Sequence, residues 1–153
     1  MQRKNIKRME KEEKEFEQKI VDLARVTRVS KGGKQMNFRA CIAIGDLKGR
    51  CGIGLAKGVD VAIAVNKAAT VAKKNIISVP ITEEESIPYE IKEKFGAARI
   101  LLRPAKKGTG LKAGSAVRMV LELVGIKNIT SKIFGSNSKI NNAKATINAL
   151  KKF

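Results

Sequence analysis

The chain has 153 residues, 43% of them hydrophobic, and carries 32 Lys and Arg against 14 Asp and Glu, a formal net charge of +18. That length and apolar content describe a folded polycation of one domain or two small lobes, not a disordered tail, and a field of this sign attracts polyanions. No apolar run approaches the ~20 residues of a membrane span or has the order of a secretory signal, which predicts a cytoplasmic protein without a membrane partner.

There is no histidine in the chain. The usual general base at neutral pH is therefore missing, and Cys41 and Cys51 lack companions for a structural zinc site. Both cysteines read as small apolar residues in strands, and neither a cofactor nor a metal is expected.

Charge divides the chain. Residues 1–22 hold seven basic and six acidic side chains, 23–82 eleven and two, 83–93 one and five, and 94–153 thirteen and one. Residues 1–17 read as a charged N-terminal extension with too few apolar side chains for a core. Residues 18–81 form the first lobe. A strand over 24–30 leads through Ser30, Lys31, Gly32, Gly33 and Lys34 into a second strand, where Phe38, Ala40, Ile42 and Ile44 alternate with Asn37, Arg39, Cys41 and Ala43. A glycine-bounded turn over 45–49 then leads to Cys51, Ile53 and Leu55.

Pairing Ile44 with Cys51, Ile42 with Ile53 and Ala40 with Leu55 would place every apolar partner on one face and the two cysteines on opposite faces, unless a bulge shifts the register. Gly52 and Gly54 would then let another backbone approach the far face, from the second lobe or from a nucleic acid. Asp60 caps a helix whose Val61, Val65, Ala68, Ala69, Ala72 and Ile76 recur at helical spacing, giving a two-layer β-β-β-α lobe.

Residues 82–93 read as an acidic linker, a solvated connection containing Pro88. Residues 94–153 form a second two-layer lobe of β-α-β-α order, so the fold class is α+β. A strand over 98–103 ends at Pro104 and feeds the glycine-rich basic loop of Lys106, Lys107, Gly108, Thr109, Gly110 and Lys112. A helix from Ser115 presents Val117, Val120, Leu121 and Val124 until Gly125 stops it. A strand over 128–134 places Phe134 in the core. The last helix starts near Ser138 and buries Ile140, Ala143, Ile147 and Leu150.

The loops fail as nucleotide sites. No segment has the two glycines, lysine and hydroxyl of a phosphate-binding P-loop, and Gly52-x-Gly54 and Gly108-x-Gly110 are followed by Lys57 and Ala113 where a dinucleotide fingerprint needs glycine. They do combine glycine, lysine and, near Gly114, a helix N-terminus, which suits repeated phosphates. With no Trp, one Tyr and five Phe, recognition is expected to work through backbone and shape rather than mainly through stacking.

Several motifs stand in a recognisable order. Residues 25–34 read RVTRVSKGGK; Gly45-Asp46, Gly49-Arg50, Gly52-x-Gly54 and Lys57 follow, then Arg103-Pro104-Ala105, Gly108-Thr109-Gly110, Ala113-Gly114, Arg118, Val120-Leu121-Glu122, Gly125 and Phe134-Gly135-Ser136. From about Gln18 to Leu150 this resembles the bacterial small-subunit ribosomal protein five family. The resemblance implies a first lobe of double-stranded-RNA-binding type and a second with a left-handed β-α-β crossover. It also implies a structural, non-enzymatic role, in which the protein binds rRNA at the junction of head and body, braces one against the other and influences translational accuracy. Small-subunit proteins four and eight are the implied neighbours of a single copy. On these motifs the candidate RNA-binding residues are Arg25, Arg28, Lys31, Gly32, Gly33, Lys34, Lys48, Arg50, Lys57, Lys106, Lys107, Gly108, Thr109, Gly110, Lys112 and Arg118.

Two alternatives share the composition. A free-standing RNA chaperone would carry the same charge, and a small kinase-like enzyme could use the loop from Lys106 to Gly114, although no base or metal-binding carboxylate pair accompanies it. Gly33→Asp is expected to weaken RNA contact and leave the fold intact.

Overall fold

The computed structural model describes residues 15–153; the charged extension predicted over residues 1–17 lies mostly outside them. The first lobe is a four-stranded sheet in the order β1 (Glu17–Ser30), β2 (Gly33–Gly45), β3 (Arg50–Gly58), β4 (Ile77–Ser78), with α1 (Val61–Lys74) before β4. Asp60 caps α1 as expected, its Oδ1 accepting from the Val61 amide at 2.7 Å. The helix lies on the sheet through Ala64, Ala68 and Ala72, all fully buried.

The pairing of β2 with β3 differs from the expected register by one residue. Gly45 faces Cys51, Ile44 faces Gly52, Ala43 faces Ile53, Ile42 faces Gly54 and Cys41 faces Leu55. Cys41 and Cys51 therefore share one face. The physical reason is that both faces of β2 are buried, so alternation could not rank them. Ala40, Ile42 and Ile44 meet α1, while Cys41, Ala43 and Cys51 join a core built largely by the second lobe. The backbone that Gly52 and Gly54 admit is that of α1: a β-carbon at Gly52 would stand 2.5 Å from the Ala72 carbonyl oxygen.

The second lobe is also four-stranded, β5 (Ile91–Phe95), β6 (Ala98–Pro104), β8 (Ile129–Gly135) and β7 (Leu111–Lys112) side by side, with α2 (Ser115–Val124) joining the parallel strands β7 and β8 and α3 (Lys139–Leu150) following β8. Strands β5 and β7 add to the expected β-α-β-α order. Ser86 and Ile87 are each only 1% exposed. They are held because the Ser86 hydroxyl oxygen accepts from the Ala105 amide and the Glu85 carbonyl accepts from the Lys127 and Asn128 amides. The solvated connection expected over residues 82–93 is therefore packed along this stretch.

The lobes stack. Helices α2 and α3 lie between the two sheets, touching β1, β2 and β3 on one side and β5, β6 and β7 on the other, so the layers run helix, sheet, helix pair, sheet. Burying both sides of the helix pair supplies the hydrophobic stabilisation that two separate 60-residue lobes would lack.

The joint itself is made of backbone. Gly125 ends α2 with φ 94°, donating to the Leu121 and Glu122 carbonyls. The next carbonyls of that last turn, those of Leu123 and Val124, accept from the amides of Leu47 (3.0 Å) and Gly49 (2.8 Å) in the β2–β3 turn. Carbonyls that a helix end leaves unsatisfied are thus capped by the other lobe.

Candidate nucleic-acid interface

Strand β3 pairs only with residues 38–45 of β2. Beyond Phe38 the β1–β2 hairpin continues alone as a two-stranded ribbon to the pair Ser30 and Gly33, with Lys31 and Gly32 as its turn. A β-carbon at Gly32 or Gly33 would meet nothing within 4 Å, so the tip is open space. Gly33 has φ +146°, and only its neighbour Gly32 is free of that demand. Gly33→Asp would therefore introduce backbone strain as well as charge, which corrects the expectation that it spares the fold.

Pairing sets the cations on both faces of this arm. Arg28 pairs with Gln35, in line with Arg39 and its partner Lys57; Arg25 pairs with Phe38 and Lys34 with Val29 on the reverse face. Arg25, Arg28, Lys31, Lys34 and Lys57 are exposed, and among the described residues none forms an ion pair.

Lys48 and Arg50 lie elsewhere, at the opposite end of β2, a strand that spans roughly 40 Å over its 13 residues. Arg50 is engaged within the chain. Its Nε donates to Asp46 Oδ2 at 2.6 Å and its guanidinium sits 5.1 Å from the ring centre of Phe16. Asp46 Oδ1 also accepts from the Lys48 and Arg50 amides, each at 2.9 Å. Burial alone would raise the Asp46 carboxyl, but the Arg50 hydrogen bond and these two amides outweigh it and hold the group below the usual carboxylate range. This turn shapes the joint between lobes.

The second basic loop joins β6 to β7 and is organised by a residue that sequence patterning did not single out. Asn128, 4% exposed, accepts through Oδ1 from the amides of Gly108 (3.1 Å) and Gly110 (3.2 Å) and donates from Nδ2 to the Glu84 carbonyl (2.8 Å). Gly108 and Gly110 have φ 92° and 76° with nothing near a β-carbon, while Lys106, Lys107 and Lys112 are exposed and Thr109 half-buried. A lone Asn at a strand start gives no periodic signal. Its position just before Ile129 is the only hint.

Arg118 on α2 donates to Glu122 Oε1 at 2.9 Å, and Lys19 of β1 reaches Glu122 Oε2 at 2.7 Å. The Lys19 hydrogen bond, then that of Arg118, holds the Glu122 carboxyl below its ordinary value. Arg118 thus belongs to a bridge between lobes and keeps more than half of its side chain exposed.

The structure therefore gathers the candidates into three places rather than one: the ribbon with Lys57 near its root, the capped turn at Lys48 and Arg50, and the Asn128-held loop with Arg118 on the helix beyond it. Phe134, expected in the core, is 49% exposed on the outer face of the second sheet, because the β8 residues turned inward are Ile129, Ser131 and Ile133. Cys41 and Cys51 are buried, and burial pushes their thiols up to about 11 and 12, so both stay neutral at physiological pH. No helix among the described residues is long and apolar enough to cross a membrane.

Comparison with known proteins gives matches over both lobes. Residues 16–80 match the family model described as ribosomal protein S5, N-terminal domain, and residues 93–153 that of its C-terminal domain. The chain is 53% identical over 136 residues to the small ribosomal subunit protein uS5c of Emiliania huxleyi, covering 89% of this chain and 86% of that protein. It is 45% identical over 150 residues to uS5c of Rhodomonas salina, covering 98% and 89%, and 44% identical over 148 residues to uS5 of Trichormus variabilis, covering 97% and 85%.

Proposed function

The chain belongs to the ribosomal protein S5 family, and from that premise we propose how its surfaces serve the small ribosomal subunit. It is a structural constituent of that subunit, an rRNA-binding part of a ribonucleoprotein and not an enzyme. In our reading the ribbon tip at Lys31, Gly32, Gly33 and Lys34 enters the head rRNA, with Arg25, Arg28 and Lys57 neutralising phosphates along both of its faces. The loop of Lys106, Lys107, Gly108, Thr109, Gly110 and Lys112, with Arg118, faces the body. Lys48 and Arg50 contribute to the field and mainly hold the joint.

One observation carries this reading: a cationic two-stranded arm projects past its sheet with an open glycine tip, and among the described residues Arg25, Arg28, Lys31 and Lys34 have no ion-pair partner. An isolated ribbon of this kind is marginal in water, which favours a polyanion as its support. Bracing of head against body, an influence on accuracy, contact with small-subunit proteins four and eight, a single copy per particle and a cytoplasmic ribosome complete the proposal.

Chemical footprinting on small-subunit rRNA tests it. The intact chain should co-sediment with small subunits at moderate salt and protect two separate RNA regions, and Gly32→Asp should abolish one of them alone. A chain that stays off the subunits, or a Gly32→Asp variant with an unchanged footprint, would refute the assignment.

A further inference from the structure

Helices α2 and α3 cover one face of the second sheet, and among the described residues no element covers the other. Strand pairing lays side chains on that outer face in rows. Lys92 stands opposite Leu101 and Leu101 opposite Lys132; Lys94 stands opposite Arg99 and Arg99 opposite Phe134. With Arg103 these residues line a shallow depression of about 750 Å³.

The charge here is unbalanced. Arg103 pairs with Glu90 at 2.6 Å, but among the described residues Lys92, Lys94, Arg99 and Lys132 have no carboxylate partner. The nearest carboxylate in sequence, Glu93, is turned to the inner side and pairs with Lys152. Like charges facing each other across strands, as Lys94 and Arg99 do, weaken a sheet unless something neutralises them. At one end of this patch, opposite Arg99 and two residues along β8 from Lys132, lies a half-exposed phenylalanine, Phe134, a poor solvent-facing residue and a good platform for a nucleobase.

We propose that this face is a separate RNA-binding surface, in which Lys92, Lys94, Arg99 and Lys132 hold the phosphates of an unpaired rRNA stretch while a base stacks on Phe134. The inference rests on the proposed rRNA-binding role and adds a surface that neither glycine loop reaches. Rows of cations that among the described residues lack carboxylate partners, ending at an exposed aromatic ring beside Arg99 and Lys132, match alternating phosphate and base better than they match an acidic protein, which offers no planar partner for Phe134.

The test uses the full chain and small-subunit rRNA. Lys94→Gln, Arg99→Gln and Lys132→Gln together should lower the slope of log affinity against log salt by about 2, as expected for three single-strand phosphate contacts. The equal-charge control Lys67→Gln, Lys74→Gln and Lys139→Gln, on exposed helix positions, should change it less. Phe134→Ala should weaken binding about tenfold and Phe134→Tyr should restore it. Footprints should lose one block of unpaired nucleotides in the sheet-face variant and keep the ribbon block. If the sheet-face and control triples behave alike, or if the sheet-face variant keeps every RNA footprint but loses a neighbouring protein from the particle, the face is not an RNA surface. If the unaltered chain gives no footprint at all, the rRNA-binding reading falls and this inference with it.

Discussion

The Leu47 amide, in the first lobe, donates at 3.0 Å to the Leu123 carbonyl of the second, one of the last carbonyls of α2 that the Gly125 cap does not reach. The approach is close enough that side chains are excluded on both sides: a β-carbon at Gly45 would overlap the Leu123 carbonyl, and one at Gly125 the Leu47 carbonyl. Gly45→Ala should therefore lift the turn off α2, sacrificing two hydrogen bonds and some packing. We expect a loss of about 3 kcal/mol, or roughly 6–12 °C in Tm for a chain of this size. Thermal unfolding by circular dichroism measures it, and an unchanged Tm would show that the joint tolerates separation.

Asp46 organises the same turn, and its lowered pKa fixes the sign of its pH dependence. Since the folded state holds the carboxyl below its unfolded value, the stabilisation is complete above the ordinary carboxylate range and is lost as pH falls through the folded pKa. Asp46→Asn should cost about 1 kcal/mol at pH 7 and progressively less in acid. Denaturant unfolding at a series of pH values between neutral and strongly acidic reads the difference. A gap that widens on acidification contradicts this role.

Asn128→Ala should free the Gly108 and Gly110 amides without touching a single cation. Hydrogen exchange at those two amides should accelerate, global stability should drop by about 2 kcal/mol, and RNA affinity should fall although the net charge is unchanged. Exchange rates identical to those of the parent chain would mean that the loop holds its own shape.

At the ribbon tip, Gly32→Ala and Gly33→Ala should differ. Both positions are open, but only Gly33 needs positive φ, so its variant should be less stable by about 1 kcal/mol or more while Gly32→Ala is close to neutral. Lys31→Gln with Lys34→Gln should leave Tm unchanged and lower the salt slope of RNA binding by about 2. Equal Tm for the two alanine variants would mean that Gly33 relaxes out of its observed conformation.

Much of this architecture was legible because single-faced patterns leave a clear period. The Asp60 cap, the alanine face of α1, the stripe of α2 ended by Gly125 and the glycine-lysine tip all follow from local chemistry. What escaped depends on the other lobe. Residues 40–45 are buried throughout, so alternation marked a strand without deciding which residues face α1 and which face α2. Strand β5 reads as acidic linker because only Ile91 and Phe95 of its five residues are apolar, and β4 and β7 have two residues each, too few to show a period. Arg50 and Arg118 look like free cations in sequence, since their carboxylates matter only once Asp46 and Glu122 are folded beside them. Phe134 was misplaced because a single aromatic cannot reveal which face of a strand is covered.

The capped end of α2 has a mechanical meaning. Its bonds run from backbone to backbone, between glycines that leave no room for a side chain, so the two lobes are tied directly main chain to main chain at the β2–β3 turn. The distance from that turn to the Gly108 loop is then set by main chain rather than by adaptable side chains, like the gap of a fixed spacer.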